Sequence, residues 1–362
     1  MENEDNVNSE QPDVPLGERL KQRWLKSWPL AVGALVMSVW VFGPRLFKHP
    51  ETPPIQVEET FDRQAKWEAV KQPLVPDLMW LDLNDDGTRG VAVASNGTLL
   101  TSADGGASWR IGQSPPIEAG EIPSVAVFAG ESIIVGCGTD ESRYTTIYEW
   151  SDTGIWGKVE GVFGGVAGAS SDGSVLVGGG GMVAVMQGVN RWNFSRIKEA
   201  EELTLYGASR AGKQIVVVGD YGFIGTSEDE GLTWKAEYAG EAALYGVTTH
   251  NADGALAVGA GGVYERTMGK PRWQITDVSA GSPDALTGIV STGRVVYATG
   301  ERIGVPLLLK STNGAQGWER ELIGETDDYT PRTQDDRLVA IAAANDVMVT
   351  ATASGKIFRR LE

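Results

Sequence analysis

The chain has 362 residues, 47 of them glycine and one of them cysteine, and a formal net charge of −17. The single Cys137 excludes an intramolecular disulfide and a thiolate metal cluster, and the two histidines, His49 and His250, stand too far apart to suggest a zinc site. An acidic surface repels phosphate backbones, which disfavours nucleic acid as a partner.

Residues 1–26 form a polar tail, acidic at first and ending in the basic cluster Arg19, Lys21, Arg23 and Lys26. Residues 27–44, SWPLAVGALVMSVWVFGP, then run without a charge, long enough to cross a hydrocarbon core. Only Arg45 and Lys48 follow directly, so the heavier basic load places the N-terminus in the cytoplasm and the rest outside. The exit FGPRLFKHP has no small-x-small cleavage site and no lipid-accepting cysteine. An uncleaved transmembrane signal-anchor is expected, with a cleaved signal peptide as the alternative. Residues 45–60 form a Pro-rich, acidic linker to a folded domain over 61–362.

In that domain Trp67, Trp109, Trp156, Trp192, Trp234, Trp273 and Trp318 recur at gaps of 36 to 47 residues. Each closes a phrase of short β-type runs separated by Gly-rich turns, best seen in LTLYGASRAGKQIVVVGDYGFIGTSEDEGLTW at 203–234. A period near forty residues with strand content predicts a β-propeller, one blade per repeat. Gly97, Gly181, Gly222, Gly262 and Gly355 align where the central hairpin reverses, which calls for positive φ. The last unit, LVAIAAANDVMVTATASGKIFRRLE, has three strands and no tryptophan, whereas AKWEAVKQP at the start has a tryptophan strand and no blade. Joining them closes the ring and removes its free edges. Seven blades closed by the N-terminal strand are therefore expected; six or eight stay compatible with an irregular second blade.

Two turns, SADGGASW at 102–109 and SEDEGLTW at 227–234, match the Asp-box pattern S/T-x-D-x-G-x-T-W, and STNGAQGW at 311–318 and SDTGIW at 151–156 resemble decayed copies. Ser102, Asp104, Gly106 and Trp109, with Ser227, Asp229, Gly231 and Trp234, are expected to be structural: the carboxylate and hydroxyl bind backbone N–H groups across the turn. Asp-boxes occur in sialidases and sortilin-type propellers, but VVVGDYGFIGTSEDEGLTW most resembles the photosystem II stability/assembly factor family. That resemblance spans about residues 61–362. It implies a non-enzymatic propeller, outside the cytoplasm, that assists assembly of a membrane complex, with photosystem or envelope-transporter components as partners. The chain departs from it in its transmembrane anchor and in arginines scattered over an acidic domain.

A sialidase-like glycoside hydrolase is the alternative, but the nearest string to the sialidase F/Y-R-I-P phrase, WRIG at 109–112, lacks the proline. No catalytic, cofactor-binding or metal-binding residue is expected. Partner binding is expected in the loops that break the repeat, 139–146, 301–306 and 324–337, which carry Arg143, Tyr144, Arg302, Asp327, Asp328 and Tyr329.

Overall fold

The computed structural model describes residues 66–361 except 140–144, 152–153, 162–163, 190, 250–253, 268–272, 277–282, 284, 303–304, 316 and 324–336. The tail, the span 27–44 and the linker lie outside the described residues. Among the described residues, no helix is long and apolar enough to cross a membrane.

The described strands form seven four-stranded antiparallel sheets. Six are continuous in sequence, over 78–111, 121–161, 166–196, 205–238, 244–276 and 285–321. The seventh takes three strands from 338–360 and its outer strand, Trp67–Ala69, from the start of the domain. The chain is thus a seven-bladed propeller, closed as the chain ends imply. The run Gln214–Gly219 shows why these segments are strands: its β-branched residues Ile215 to Val218 are all buried, as a middle strand between two neighbouring blades requires.

The seven tryptophans have one common task. Seven apolar clusters lie between consecutive blades, and each contains one of them. Trp109 packs against Val349 and Ala351 of the seventh blade, Trp234 against Val183 and Val185 of the third, and Trp318 against Val258 and Val263 of the fifth. Each tryptophan leads into the outer strand of its own blade and faces back onto the preceding blade. An indole fills the wide outer end of the wedge between two twisted sheets, where an aliphatic side chain is too short.

A second device recurs at the inner end of each blade. In every one, the register between the first two strands slips by one residue near the start, between Leu78 and Trp80, Leu205 and Gly207, or Leu244 and Gly246, for example. The extra residue is a β-bulge, which bends the innermost strand toward the axis. The bulge crowds the end of the second strand, so a Cβ added at Gly219, Gly259 or Gly300 falls 2.0 to 2.3 Å from a carbonyl oxygen opposite. Hence the repeated V-G or T-G phrase, which ends the strand at Gly219 and Gly259 and stands two residues before its end at Gly300.

Closure rests on Trp67, which is fully buried. Its backbone pairs with Arg360, and its indole N–H donates to Glu321 Oε2 of the sixth blade at 2.8 Å. Glu321 also faces Lys310 and Arg360, each at 3.4 Å. Tyr297 meets the indole edge-on at 6.4 Å. One side chain therefore joins the sixth and seventh blades and both ends of the domain. Trp67→Ala is expected to lower unfolding free energy by about 3–5 kcal/mol in urea titrations. Glu321→Gln, which keeps an acceptor for the indole, is expected to cost less.

Candidate functional site

Strand parity sorts the connections onto two faces. One carries the turns after the first and third strands of each blade. The other, hereafter the crossover face, carries the central hairpin turns and the crossovers between blades.

The two best-preserved motif turns lie between third and outer strands, on the rim. At 102–109, Ser102 Oγ donates to Asp104 Oδ1 at 2.8 Å and accepts the Gly106 N–H at 2.9 Å. Asp104 in turn accepts the Ser108 N–H at 2.9 Å and its hydroxyl at 2.5 Å, and the Trp109 indole N–H donates to the Gly106 carbonyl at 3.1 Å. The turn at 227–234 repeats the scheme with Ser227, Asp229, Gly231, Thr233 and Trp234. Burial works against the Asp104 carboxylate, but hydrogen bonds from Ser108 and Ser102 hold it below the usual range; those from Thr233 bring Asp229 down to about 2. These carboxylates are engaged by their own turns.

The turn at 311–318 shows what decay costs. Asn313 accepts from Ser311 Oγ at 2.9 Å and the Ala315 N–H donates to Ser311 Oγ at 3.1 Å, yet Ala315 is forced to φ 71° where Gly106 and Gly231 stand in the complete copies. The Trp318 indole N–H, and those of Trp192 and Trp273, are buried without an acceptor among the described residues. The dipeptide turn glycines Gly97, Gly181, Gly222, Gly262 and Gly355 all have positive φ, as their alignment implies.

Of the loop residues, Arg143, Tyr144, Asp327, Asp328 and Tyr329 lie outside the described residues. The described strands that flank the three repeat-breaking segments end on the crossover face. The segment 301–306 is not the long loop its sequence suggests. Arg302 is the last residue of a strand and pairs with Val305, the first residue of the next. The β-branched run VVYATG and the apolar VPLLL simply extend the ladder to the hairpin. Beside the second-blade insertion, Glu121 accepts hydrogen bonds from Thr146 at 2.6 Å, Tyr148 at 2.7 Å and the Glu118 N–H at 3.0 Å. Burial opposes its charge, but these bonds hold Glu121 below the usual carboxylate range.

The structure adds two features that sequence reasoning missed. The first is an open groove of about 440 Å³ on the crossover face, running from Ile122 in the second blade over Gly165, Val166 and Gly179 to Leu203 and Thr204 at the fourth. At its fourth-blade end, Asp220 accepts the Thr204 N–H at 2.8 Å and the Tyr206 hydroxyl at 3.1 Å. Tyr206 and Tyr245 occupy the bulge positions of adjacent blades, with ring centroids 5.4 Å apart. Tyr221 follows Asp220 at φ 54° with its side chain 46% exposed.

The second feature is an axial cavity of about 260 Å³ between the innermost strands, with Asp82 on its wall. The buried Asp82 carboxylate accepts the Phe128 N–H of the second blade at 2.9 Å. Burial pushes it up to about 8, aided by Asp85 and Asp172 and opposed by the backbone N–H groups of Phe128 and Leu83. Further polar links join inner strands around the ring: Ser124 Oγ donates to Val166 O at 2.6 Å, and Ser209 Oγ to Thr249 Oγ1 at 3.2 Å.

Neither a protein-family model nor a curated protein sequence matches the chain. Solved structures do. YCF48 from Cyanidioschyzon merolae is similar with a TM-score of 0.57 at 15% identity, covering 82% of this chain and 99% of that one. YCF48 bound to D1 peptide gives 0.61 at 14% identity, covering 83% and 96%. The U3-55K structure gives 0.62 at 11% identity, covering 82% and 98%. At these identities the likeness is one of fold. The neighbours include a structure of YCF48 with a D1 peptide bound, and propellers of quite different sequence fit the same frame equally well.

Two outcomes follow from these sites. Ala315→Gly relieves a left-handed strain that alanine bears poorly, and calorimetry is expected to show a gain of up to about 1 kcal/mol. For Asp82, the folded chain keeps a proton that the unfolded chain gives up above about pH 4. Stability is therefore expected to fall as pH rises from about 4 toward 8 and then to level off. Asp82→Asn, which retains an acceptor for Phe128, is expected to flatten that profile and to exceed the parent by at least about 1 kcal/mol at pH 8 in denaturant titrations.

Proposed function

We propose that this chain is a membrane-anchored, non-enzymatic interaction platform, held by the span 27–44 with its propeller outside the cytoplasm. Its clients on this reading are components of a membrane complex, a photosystem-like assembly or an envelope transporter. The observation that carries the reading is the crossover face. The open groove, the exposed Tyr221 and the strand ends flanking all three repeat-breaking segments lie there together. Supporting it, the Asp-box carboxylates Asp104 and Asp229 are spent on their own turns, which suits a scaffold whose rim is structural. The fold likeness to YCF48, one structure of which holds a D1 peptide, fits a propeller that receives a segment of another protein. The apolar span and the basic residues before it account for the anchor and its orientation.

Affinity purification of the full-length chain from detergent-solubilised membranes tests this directly. Recovery of a defined membrane protein, lost when Tyr221 and Ile122 are both changed to glycine, is the expected outcome. Recovery unaffected by that pair, or no membrane protein above an untagged control, rejects the crossover face as the working surface.

A further inference from the structure

We propose that the crossover-face groove receives an extended, basic segment of a partner protein, with a lysine or arginine side chain seated at the fourth-blade end. The inference rests on the platform reading and specifies its ligand. Three observations lead to it.

The groove has room for a polypeptide segment. Its middle is formed by Gly165, Gly179 and Gly180, which carry no side chains of their own, although the Arg196 guanidinium lies against Gly180, while Ile122, Val166 and Leu203 supply apolar contact. Ile122 is 40% exposed there, a large aliphatic group left open at a strand start. A floor of glycines with spaced apolar contacts gives room to an extended segment, whose side chains alternate between groove and solvent.

The fourth-blade end is acidic and aromatic together. Thr204 belongs to the groove, and its N–H holds Asp220 at 2.8 Å, so the Asp220 turn adjoins the groove directly. Glu201 lies exposed on one side of this turn. On the other, the Ala239 N–H donates to the Gly222 carbonyl at 2.9 Å, which brings in the following crossover with its exposed Glu241. Tyr221 projects from the turn, and Tyr206 touches Asp220 through its hydroxyl. Carboxylates beside aromatic faces attract a cationic side chain by charge and by the ring quadrupole together. An acidic side chain beside Asp220, Glu201 and Glu241 is repelled by the same charges, and the cation that the groove itself contributes, Arg196, lies away from Tyr221 against Gly180.

The apolar wall and the acidic end also lie on one continuous line from the second blade to the fourth. A single segment with an apolar residue at Ile122 and a basic one near Tyr221 therefore satisfies both. The net charge of −17 favours the approach of such a segment from a distance.

The test uses full-length protein in neutral detergent and three short labelled peptides read by fluorescence anisotropy. Each alternates valine with arginine, glutamate or glutamine. The arginine peptide is expected to bind, and to weaken as salt rises. Tyr221→Gly and Glu201→Gln are each expected to weaken it about threefold, and about tenfold together. Glu228→Gln, a charge change on the rim of the same blade, is expected to leave binding unaltered. Tyr221→Gly suits the positive φ at that position, so its melting temperature should hold or rise, and lost binding is then not lost folding. Glutamate or glutamine peptides binding as tightly as arginine, or Tyr221→Gly without effect, overturns the proposal. A photo-crosslinker at Ile122 in native membranes separates this from the broader reading. An adduct on a partner segment free of basic residues overturns the ligand chemistry and leaves the platform standing. No adduct, with no peptide bound, removes both.

Discussion

The ring depends on the apolar layer between neighbouring blades. A four-stranded sheet of this size cannot bury both faces by itself; it needs a neighbour on each side, and a ring supplies one to every sheet at once. Each layer holds one of the repeat tryptophans at its broad outer end and aliphatic residues of the innermost strand, such as Leu81, Leu205 and Leu338, toward the axis. Closure is the point of greatest consequence, because an open ring exposes two sheet faces and two strand edges. Trp67 meets that demand from the opposite end of the sequence, joining Arg360, Glu321 and Tyr297.

Two polar systems set the geometry that the apolar layers fill. On the rim, the serine–aspartate turns convert buried backbone N–H groups into satisfied ones and aim the indole inward. Where the motif is complete, the indole N–H is satisfied as well; where it has decayed, at Trp318, it finds no acceptor among the described residues. The fold tolerates this because apolar contact carries most of a tryptophan's worth, and the lost hydrogen bond is a smaller term. Near the axis, bulges and side chains such as Asp82 and Ser124 tie each innermost strand to the next. Asp82 illustrates how that linkage is bought with burial of a carboxyl group.

The bulges also shape the surface where a partner is proposed to dock. An additional residue stands at the start of each innermost strand; in the fourth and fifth blades it is tyrosine, and Tyr245 lines the axial cavity. The pairing of Tyr206 with Tyr245 is thus a consequence of the device that bends the strands, placed beside an acidic turn and a glycine-lined groove. Function on such a face is independent of the frame, which explains how propellers of 11 to 15% identity share this fold.

The architecture was legible in the order of residues. The tryptophan period, the turn glycines and the unmatched chain ends pointed to seven blades and their closure, because each depends on local backbone chemistry or on counting repeats; the irregular second blade left six or eight open until the sheets themselves were seen. The hydrogen-bond scheme of the two complete turns was legible too, since all its members lie within eight residues of sequence. The groove was not. Ile122, Gly165, Thr204 and Tyr221 come from three blades, and no local pattern relates them. Nor did spacing reveal the bulges, which add a residue without altering the apolar alternation on either side. The loop expected at 301–306 fell short for a similar reason: the segment departs from the repeat, but strand pairing across the sheet extended to Arg302 and Val305. Residue order determined which segments become strands and how many blades they make. Only the closed ring decided which side chains meet on its face, because those meetings depend on how much each sheet twists and on how the sheets stack around a common axis.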